Sequence, residues 1–357
     1  MEDRMKKIKL LGAVALSAAV VCGFASCKKE KAAANEFPPV KIGYRTGNLC
    51  AAPMHIAILD GYFEREFEAI GQKFETVHQI VTNGTTATLV GAGTIDAGFE
   101  LISSMLQSME NGLPIVFASG IHTGCTKYYV RADSDIETVA DLRGKKIGVP
   151  GLGDSSVMNL KRKLADEGID VSFGSSEVEF IAYEPAALGI NLQNGEIDAF
   201  GMHDPLAHKF EQEYGFRKIF DIGEDEKFSK EYCCQIFVTE DLLEKNPEGA
   251  KAFIRAAQKA SAFVAANPRK AAEIQLANDY VTGDIELNTQ LLSAYNYTPS
   301  YEYGRLTFLN AATELKNIGV LKEATDVEDF IRRGYVRIEG IPEGYKYDAE
   351  KDEFIEL

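Results

Sequence analysis

The sequence predicts an α/β protein built from two similar lobes with a helical C-terminal third. Three observations predict it. From Pro38 to about residue 222, short β-branched or aromatic runs alternate with longer segments of helical period. That alternation marks mostly parallel sheets covered by helices on both faces. The phrase Gly93-Thr94-Ile95-Asp96-Ala97 returns as Gly195-Glu196-Ile197-Asp198-Ala199, each time after a helical run and opening a strand. From residue 248 onward the period is helical.

In chain order, residues 40–44 read as a strand and 53–59 as a helix stopped by Gly61. A strand at 74–81, a helix at 85–90, a strand at 95–99, a helix at 101–110 and a strand at 115–119 complete the first series. The second opens at Lys146-Ile147-Gly148-Val149; Val157, Leu160 and Leu164 then share a helix face, and Gly168 supplies the stop. Strand 178–183, helix 185–193, strand 197–202, helix 206–214 and strand 218–222 follow. A strand at 235–239 precedes helices at 248–266, 270–279, 287–295, 304–318 and 327–333, with Asn267-Pro268 breaking the first pair. Residues 340–357 are polar and expected to be peripheral.

The first thirty residues belong to processing, not to folding. Arg4, Lys6, Lys7 and Lys9 form a positive flank, residues 10–24 carry no charge, and Ala25 and Ser26 are small. These are the parts of a secretory signal. Phe24-Ala25-Ser26-Cys27 resembles the bacterial lipobox, with Phe24 where that motif prefers Leu. Cys27 is therefore the expected lipidation site and 1–26 the cleaved signal. The competing readings are an uncleaved span, for which residues 10–26 are barely long enough, and an ordinary signal. Residues 27–37 contain Lys28-Lys29-Glu30-Lys31-Ala32-Ala33-Ala34-Asn35, too polar to fold alone and expected to tether the body to a membrane.

The full chain has 45% hydrophobic and 26% charged residues, as a soluble globular protein does. A formal charge of −16 disfavours nucleic acid, so none is expected as a partner. Beyond Cys22 and Cys27 there remain Cys50, Cys125, Cys233 and Cys234. No CxxC or His-rich tract is present, so no metal and no cofactor are expected, and the four thiols are read as packing residues or disulfide partners.

Several phrases resemble one family: Gly61-Tyr62-Phe63-Glu64, Gly93-Thr94-Ile95-Asp96-Ala97-Gly98, Asp141-Leu142-Arg143-Gly144-Lys145-Lys146-Ile147-Gly148-Val149-Pro150, and Asn194-Gly195-Glu196-Ile197-Asp198-Ala199. They resemble the substrate-binding proteins of ABC importers in the nitrate/sulfonate/taurine and thiamine-precursor (NMT1/THI5-like) group, over about residues 38–335. The resemblance implies the type II periplasmic-binding fold: two doubly wound α/β lobes, a central cleft, two crossing strands and C-terminal helices. It places lobe 1 at 38–129 and 235–339, lobe 2 at 130–234, and the crossings near 127–131 and 233–238. It implies a monomer in the cell envelope, outside the cytoplasm, that delivers a small molecule to permease and ATPase subunits.

Ligands of open α/β sheets bind beyond the carboxyl ends of the strands. That rule selects Thr46 and Asn48 after the first strand, Asn83, Gly84 and Thr85 after the second, Phe99 and Glu100 at the third, and His122 after the fourth. In lobe 2 it selects Gly151, Asp154 and Ser155, then Tyr183 and Glu184, then His203 and Asp204. Small polar residues at a helix start can receive an anion; Thr85, Asp154 and Ser155 could equally be caps. Glu100, Glu184 and Asp204 suit an amine or ring N–H, or are loop acids. With Arg45 and the histidines as offset, the mixed signs favour a zwitterion or polar heterocycle over nitrate. Tyr44, Tyr183 and Phe99 are candidates to stack on it.

Catalysis is not expected. His122-Thr123-Gly124-Cys125 shows no third orienting residue. The family's eukaryotic branch makes a thiamine pyrimidine and carries a CCCFC phrase, where this chain has only Tyr232-Cys233-Cys234-Gln235. An enzyme of that kind, or a ligand-sensing lipoprotein without transport, is the alternative.

Overall fold

The computed structural model describes residues 37–79 and 85–357. Cys27, the expected signal and nearly all of the expected tether lie outside the described residues, as do Asn83 and Gly84. The chain begins with β1 (Val40–Tyr44), α1 (Ala52–Leu59), α2 (Tyr62–Ala69), β2 (Phe74–His78), α3 (Thr86–Gly91), β3 (Ala97–Leu101), α4 (Ile102–Glu110) and β4 (Ile115–Thr123). It continues through β5 (Thr126–Val130), β6 (Lys146–Val149), α5 (Ser155–Asp166), β7 (Glu179–Ala182), α6 (Leu188–Asn194), β8 (Ala199–His203), α7 (Leu206–Tyr214) and β9 (Arg217–Asp221). Then come β10 (Tyr232–Thr239), α8 (Glu240–Lys245), α9 (Pro247–Ala266), α10 (Pro268–Ala277), α11 (Ile285–Ala294), α12 (Tyr301–Asn317), α13 (Val327–Gly334), β11 (Tyr345–Asp348) and β12 (Glu353–Glu356).

Two five-stranded sheets repeat one plan. The first has the order β2-β1-β3-β10-β4, with β10 antiparallel to both neighbours. The second has the order β7-β6-β8-β5-β9, with β5 antiparallel to both neighbours. Each sheet takes one antiparallel strand from a crossing of the chain. The sequence echo has a structural counterpart. Asp96 accepts from Lys41 N at 2.9 Å and its own N–H donates to Lys41 O at 2.8 Å, fixing the start of β1. Asp198 does the same for β6, accepting from Lys146 N at 2.8 Å while its N–H donates to Lys146 O at 2.8 Å.

Local chemistry sets the element ends. Asp154 caps α5 by accepting from Ser156 N, and the Val157, Leu160 and Leu164 face is buried, as the period predicts. Asn246 caps α9 through Gly249 N with Pro247 in its first turn, and Asn267-Pro268 separates it from α10. Small residues Ala250, Ala257 and Ala260 on α9 are fully buried, while Phe253 stacks on Phe63 of α2 at 5.6 Å. Tyr129, Leu192, Phe200 and Phe210 pack together in part of the second lobe's core.

The structure revises several expectations. Phe63 and Phe67 bury one face of a second short helix, α2, where the sequence reading had only a stop at Gly61. The strands expected at 95–99 and 197–202 start two residues later, because Asp96 and Asp198 are spent on the strand starts just described. The chain leaves the first sheet at Gly124 and Cys125, a few residues before 127–131, so all of β5 sits in the second sheet and all of β10 in the first. The C-terminal stretch is a β11–β12 hairpin whose Tyr345 is buried against Phe354. No helix among the described residues is long and apolar enough to cross a membrane.

Candidate binding cleft

Three ion pairs occupy the carboxyl ends of the strands. On the first lobe, the Arg45 guanidinium contacts the Glu100 carboxylate and the Thr86 hydroxyl, and its Nε donates to Gln79 Oε1 at 3.2 Å. Thr86 Oγ1 lies 3.0 Å from Gln79 Oε1 and also meets Glu100, and Leu101 N donates to Glu100 Oε1 at 3.0 Å. The Glu100 side chain is buried, whereas 36% of the Arg45 side chain is open. Burial works against the Arg45 charge, but the Glu100 carboxylate outweighs it and raises the pKa.

A buried histidine holds the Arg45 backbone from below. Gln275 Nε2 lies 2.8 Å from His55 Nδ1, so that nitrogen accepts, and His55 Nε2–H donates to Arg45 O at 2.5 Å. Burial pushes the His55 pKa down to about 4, which keeps the ring neutral. Beside it Tyr44 stacks on His78 at 4.9 Å and on Tyr280 at 5.8 Å.

On the second lobe, Asp154 lies 3.1 Å from His203 Nε2, and Thr126 Oγ1 lies 3.1 Å from His203 Nδ1. Burial opposes charge on both partners, yet their mutual attraction prevails: His203 is raised well above its ordinary value and Asp154 is lowered to about 2. Lys127 Nζ lies 2.6 Å from Asp204 Oδ2, which also accepts from the Tyr295 hydroxyl of the first lobe's helical extension. Leu49 N donates to Asp204 O at 3.2 Å, a direct bond between the lobes. The Ser155 and Ser156 hydroxyls at the first turn of α5 are buried without a hydrogen-bond partner among the described residues.

The structure thus brings Glu100, Asp154, His203 and Asp204 to paired strand ends. His122 is buried at the crossing, where its Nδ1 donates to Thr123 O at 2.7 Å. Thr46 turns its hydroxyl to His78 at 3.2 Å, and Thr85 is an exposed cap on Thr88 N. Asn48 makes no side-chain cap to the turn it precedes. Gly151 accepts from Asp154 N, and its Cα faces open space. Phe99 packs on the first core while Tyr183 packs on the second, and Glu184 is exposed. Thr86, the last residue of the small polar run expected after the second strand, joins the site, whereas Gln79, Lys127 and Tyr295 complete it and were not among the expected residues. Lys127 was legible as a basic residue beside an expected crossing; Tyr295 comes from a distant helix end and left no signal. A groove of about 560 Å³ lined by Lys163, Asp225, Glu231, Tyr303 and Asn310 contains none of these strand-end groups.

The sequence matches the NMT1/THI5-like family over residues 49–271, more than half of the chain, and the protein belongs to that family. A Brucella abortus protein named as a binding protein is 25% identical over 66% of this chain and 70% of its own. A Saccharomyces cerevisiae 4-amino-5-hydroxymethyl-2-methylpyrimidine phosphate synthase is 24% identical over 74% of this chain and 76% of its own. Among solved structures, the periplasmic aliphatic sulphonate-binding protein of Escherichia coli superposes with a TM-score of 0.66 at 18% identity, covering 87% of this chain and 97% of that one. The periplasmic nitrate-binding protein of Synechocystis gives 0.66 at 17% identity, covering 84% and 87%. The two-lobed α/β fold is that of the periplasmic binding proteins.

Proposed function

We propose that this chain is the solute-binding component of an ABC importer, anchored outside the cytoplasm through a lipid on Cys27. It captures one small polar solute between the lobes and presents it to a membrane permease with its ATPase. The observation that carries the reading is the convergence of two like sheets on a set of balanced charges. Arg45–Glu100, His203–Asp154 and Lys127–Asp204 each satisfy one another, so the cleft offers no surplus positive charge to a bare anion. A sulfonate or taurine-like zwitterion, or a thiamine-pyrimidine-like heterocycle, can exchange with both members of such pairs. The unpartnered Ser155 and Ser156 hydroxyls at the start of α5 suit its anionic or acceptor end. Opening and closing would turn on the two links at Gly124-Cys125 and residues 222–231.

The test is a thermal-shift and calorimetry panel of sulfonates, taurine-like zwitterions, thiamine pyrimidines and nitrate. A cognate solute at a hundredfold excess over Kd should raise Tm by roughly 4–8 °C. A panel in which only nitrate binds would remove the zwitterion reading. Turnover of a bound pyrimidine precursor would favour the second reading, an enzyme related to the yeast synthases that match three-quarters of the chain.

A further inference from the structure

Below the ion-paired strand ends lies a cluster that solute capture does not use. Cys50 sits in the turn after β1, His122 near the end of β4, Cys125 in the first crossing link, and Cys233 with Cys234 at the start of β10. All five side chains are buried and all four cysteines are free thiols. Cys125 Sγ lies 3.8 Å from Cys233 Sγ, and Cys233 Sγ lies 3.6 Å and 3.9 Å from the two ring nitrogens of His122. The ligand atoms of Cys50, His122 and Cys125 fall within 4.8 Å of one another, as do those of His122, Cys233 and Cys234.

The 3.8 Å between Cys125 and Cys233 matches one edge of a tetrahedral site, and the 3.9 Å from Cys233 Sγ to His122 Nε2 is about 0.4 Å longer than another. Zn–S bonds of about 2.3 Å and Zn–N bonds of about 2.0–2.1 Å give S···S edges of about 3.8 Å and S···N edges of about 3.5 Å. The histidine is also prepared. Because the Thr123 carbonyl 2.7 Å away can only accept, Nδ1 carries the proton and the Nε2 lone pair is free. A backbone carbonyl on the far nitrogen is how proteins orient a metal-binding imidazole. Thiolates with one imidazole select soft or borderline cations over hard ones.

We propose that Cys50, Cys125, Cys233, Cys234 and His122 form a binding site for one thiophilic d10 cation, zinc(II) or copper(I), held by His122 and three of the four sulfurs. Cys125 lies in the outward crossing link and Cys233 in β10, two residues past the end of the return link, so the ion ties the outward link to the strand that receives the return. The site does not depend on the solute reading.

The experiment uses the full chain, reduced and handled without oxygen, loaded with zinc(II) or copper(I) and desalted. Elemental analysis should find one metal per chain, and the loaded form should melt at higher temperature. Cobalt(II) should give sulfur-to-cobalt charge-transfer absorption that zinc(II) displaces; which of zinc(II) and copper(I) wins in competition identifies the cation. Cys125→Ser/Cys233→Ser should lose that absorption and weaken binding on the order of a hundredfold, with circular dichroism checking the fold. If that variant fails to fold, His122→Gln supplies the second arm and should change the cobalt spectrum. Wild-type protein that takes up no metal, or uptake unchanged in these variants, overturns the proposal. A Cys125–Cys233 disulfide in freshly isolated protein overturns it too, in favour of a redox pair.

Discussion

His55 shows how one buried ring carries both stability and site geometry. It is neutral in the fold because burial lowers its pKa to about 4 from an ordinary 6.5. With the folded value depressed, its contribution is fully present above pH 6.5 and is lost as pH falls from 6.5 towards 4. Between pH 7 and pH 4.5 the loss should be about 2–3 kcal/mol. Urea unfolding at the two pH values measures it, and His55→Gln should flatten the pH dependence by that amount. Equal slopes in both proteins would mean that His55 does not titrate with unfolding. Arg45 lies directly above. Arg45→Met strips the buried Glu100 of its countercharge and leaves it with Thr86 and the Leu101 N–H. The cost should be about 2 kcal/mol, below the roughly 3–5 kcal/mol for breaking a fully buried pair, because Arg45 is partly open to solvent. Chemical denaturation checks the figure, while calorimetry with a bound solute should show at least a tenfold loss of affinity if Arg45 touches it.

At the scale of elements, the strand starts and the crossing are the sensitive points. Asp96 and Asp198 each close the same two-bond ring at the start of a strand, on Lys41, the second residue of β1, and on Lys146, the first of β6. Asp96→Ala and Asp198→Ala should therefore cost alike, about 1–2 kcal/mol each, as equilibrium unfolding would report. At the crossing, a Cβ on Gly124 would lie 2.6 Å from Gly223 N, backbone against backbone with no side chain to yield. Gly124→Ala should destabilise by about 3 kcal/mol or more, whereas Gly151→Ala, with open space at its Cβ, should be nearly neutral. A mild Gly124→Ala in the same assay would mean that the two links can move apart at little cost. These elements also mark what the sequence could tell. Alternation of strand and helix exposed both lobes, and the strand-end rule reached Glu100, Asp154, His203 and Asp204 because topology alone puts strand ends in the cleft. Arg45 was in view as an offsetting charge, but the pairing around Asp204 was not legible. Lys127 meets Asp204, and Tyr295 arrives from far along the chain, only after the sheets have formed. The cysteines, spread from Cys50 to Cys234 without ligand spacing, meet for the same reason.

For the whole molecule, the question is what holds the lobes together, and Arg162 on α5 is the strongest candidate among the described residues. Its side chain is 1% exposed and donates two bonds to Glu231, at 2.8 and 2.9 Å, and one to Glu314 of α12 at 2.7 Å. The guanidinium also lies 4.7 Å from the centre of the Phe228 ring. It thereby ties the second lobe to the return link and to a helix of the first. Burial opposes the Arg162 charge, but the two carboxylates outweigh it. Arg162→Met keeps the apolar contact with Phe228 and leaves Glu231 buried without a countercharge. The cost should be about 3–5 kcal/mol, and the fold can reduce it by separating the lobes until water reaches Glu231. Small-angle scattering of solute-free Arg162→Met should then show a larger radius of gyration than wild type, with saturating solute restoring the wild-type value. Affinity should fall in proportion to the fraction of molecules left in the closed arrangement. Arg162→Lys, which keeps the charge but not the paired bonds to Glu231, should lie between the two. Loss of stability without any change in radius or affinity would make Arg162 a core strut and not a latch between the lobes.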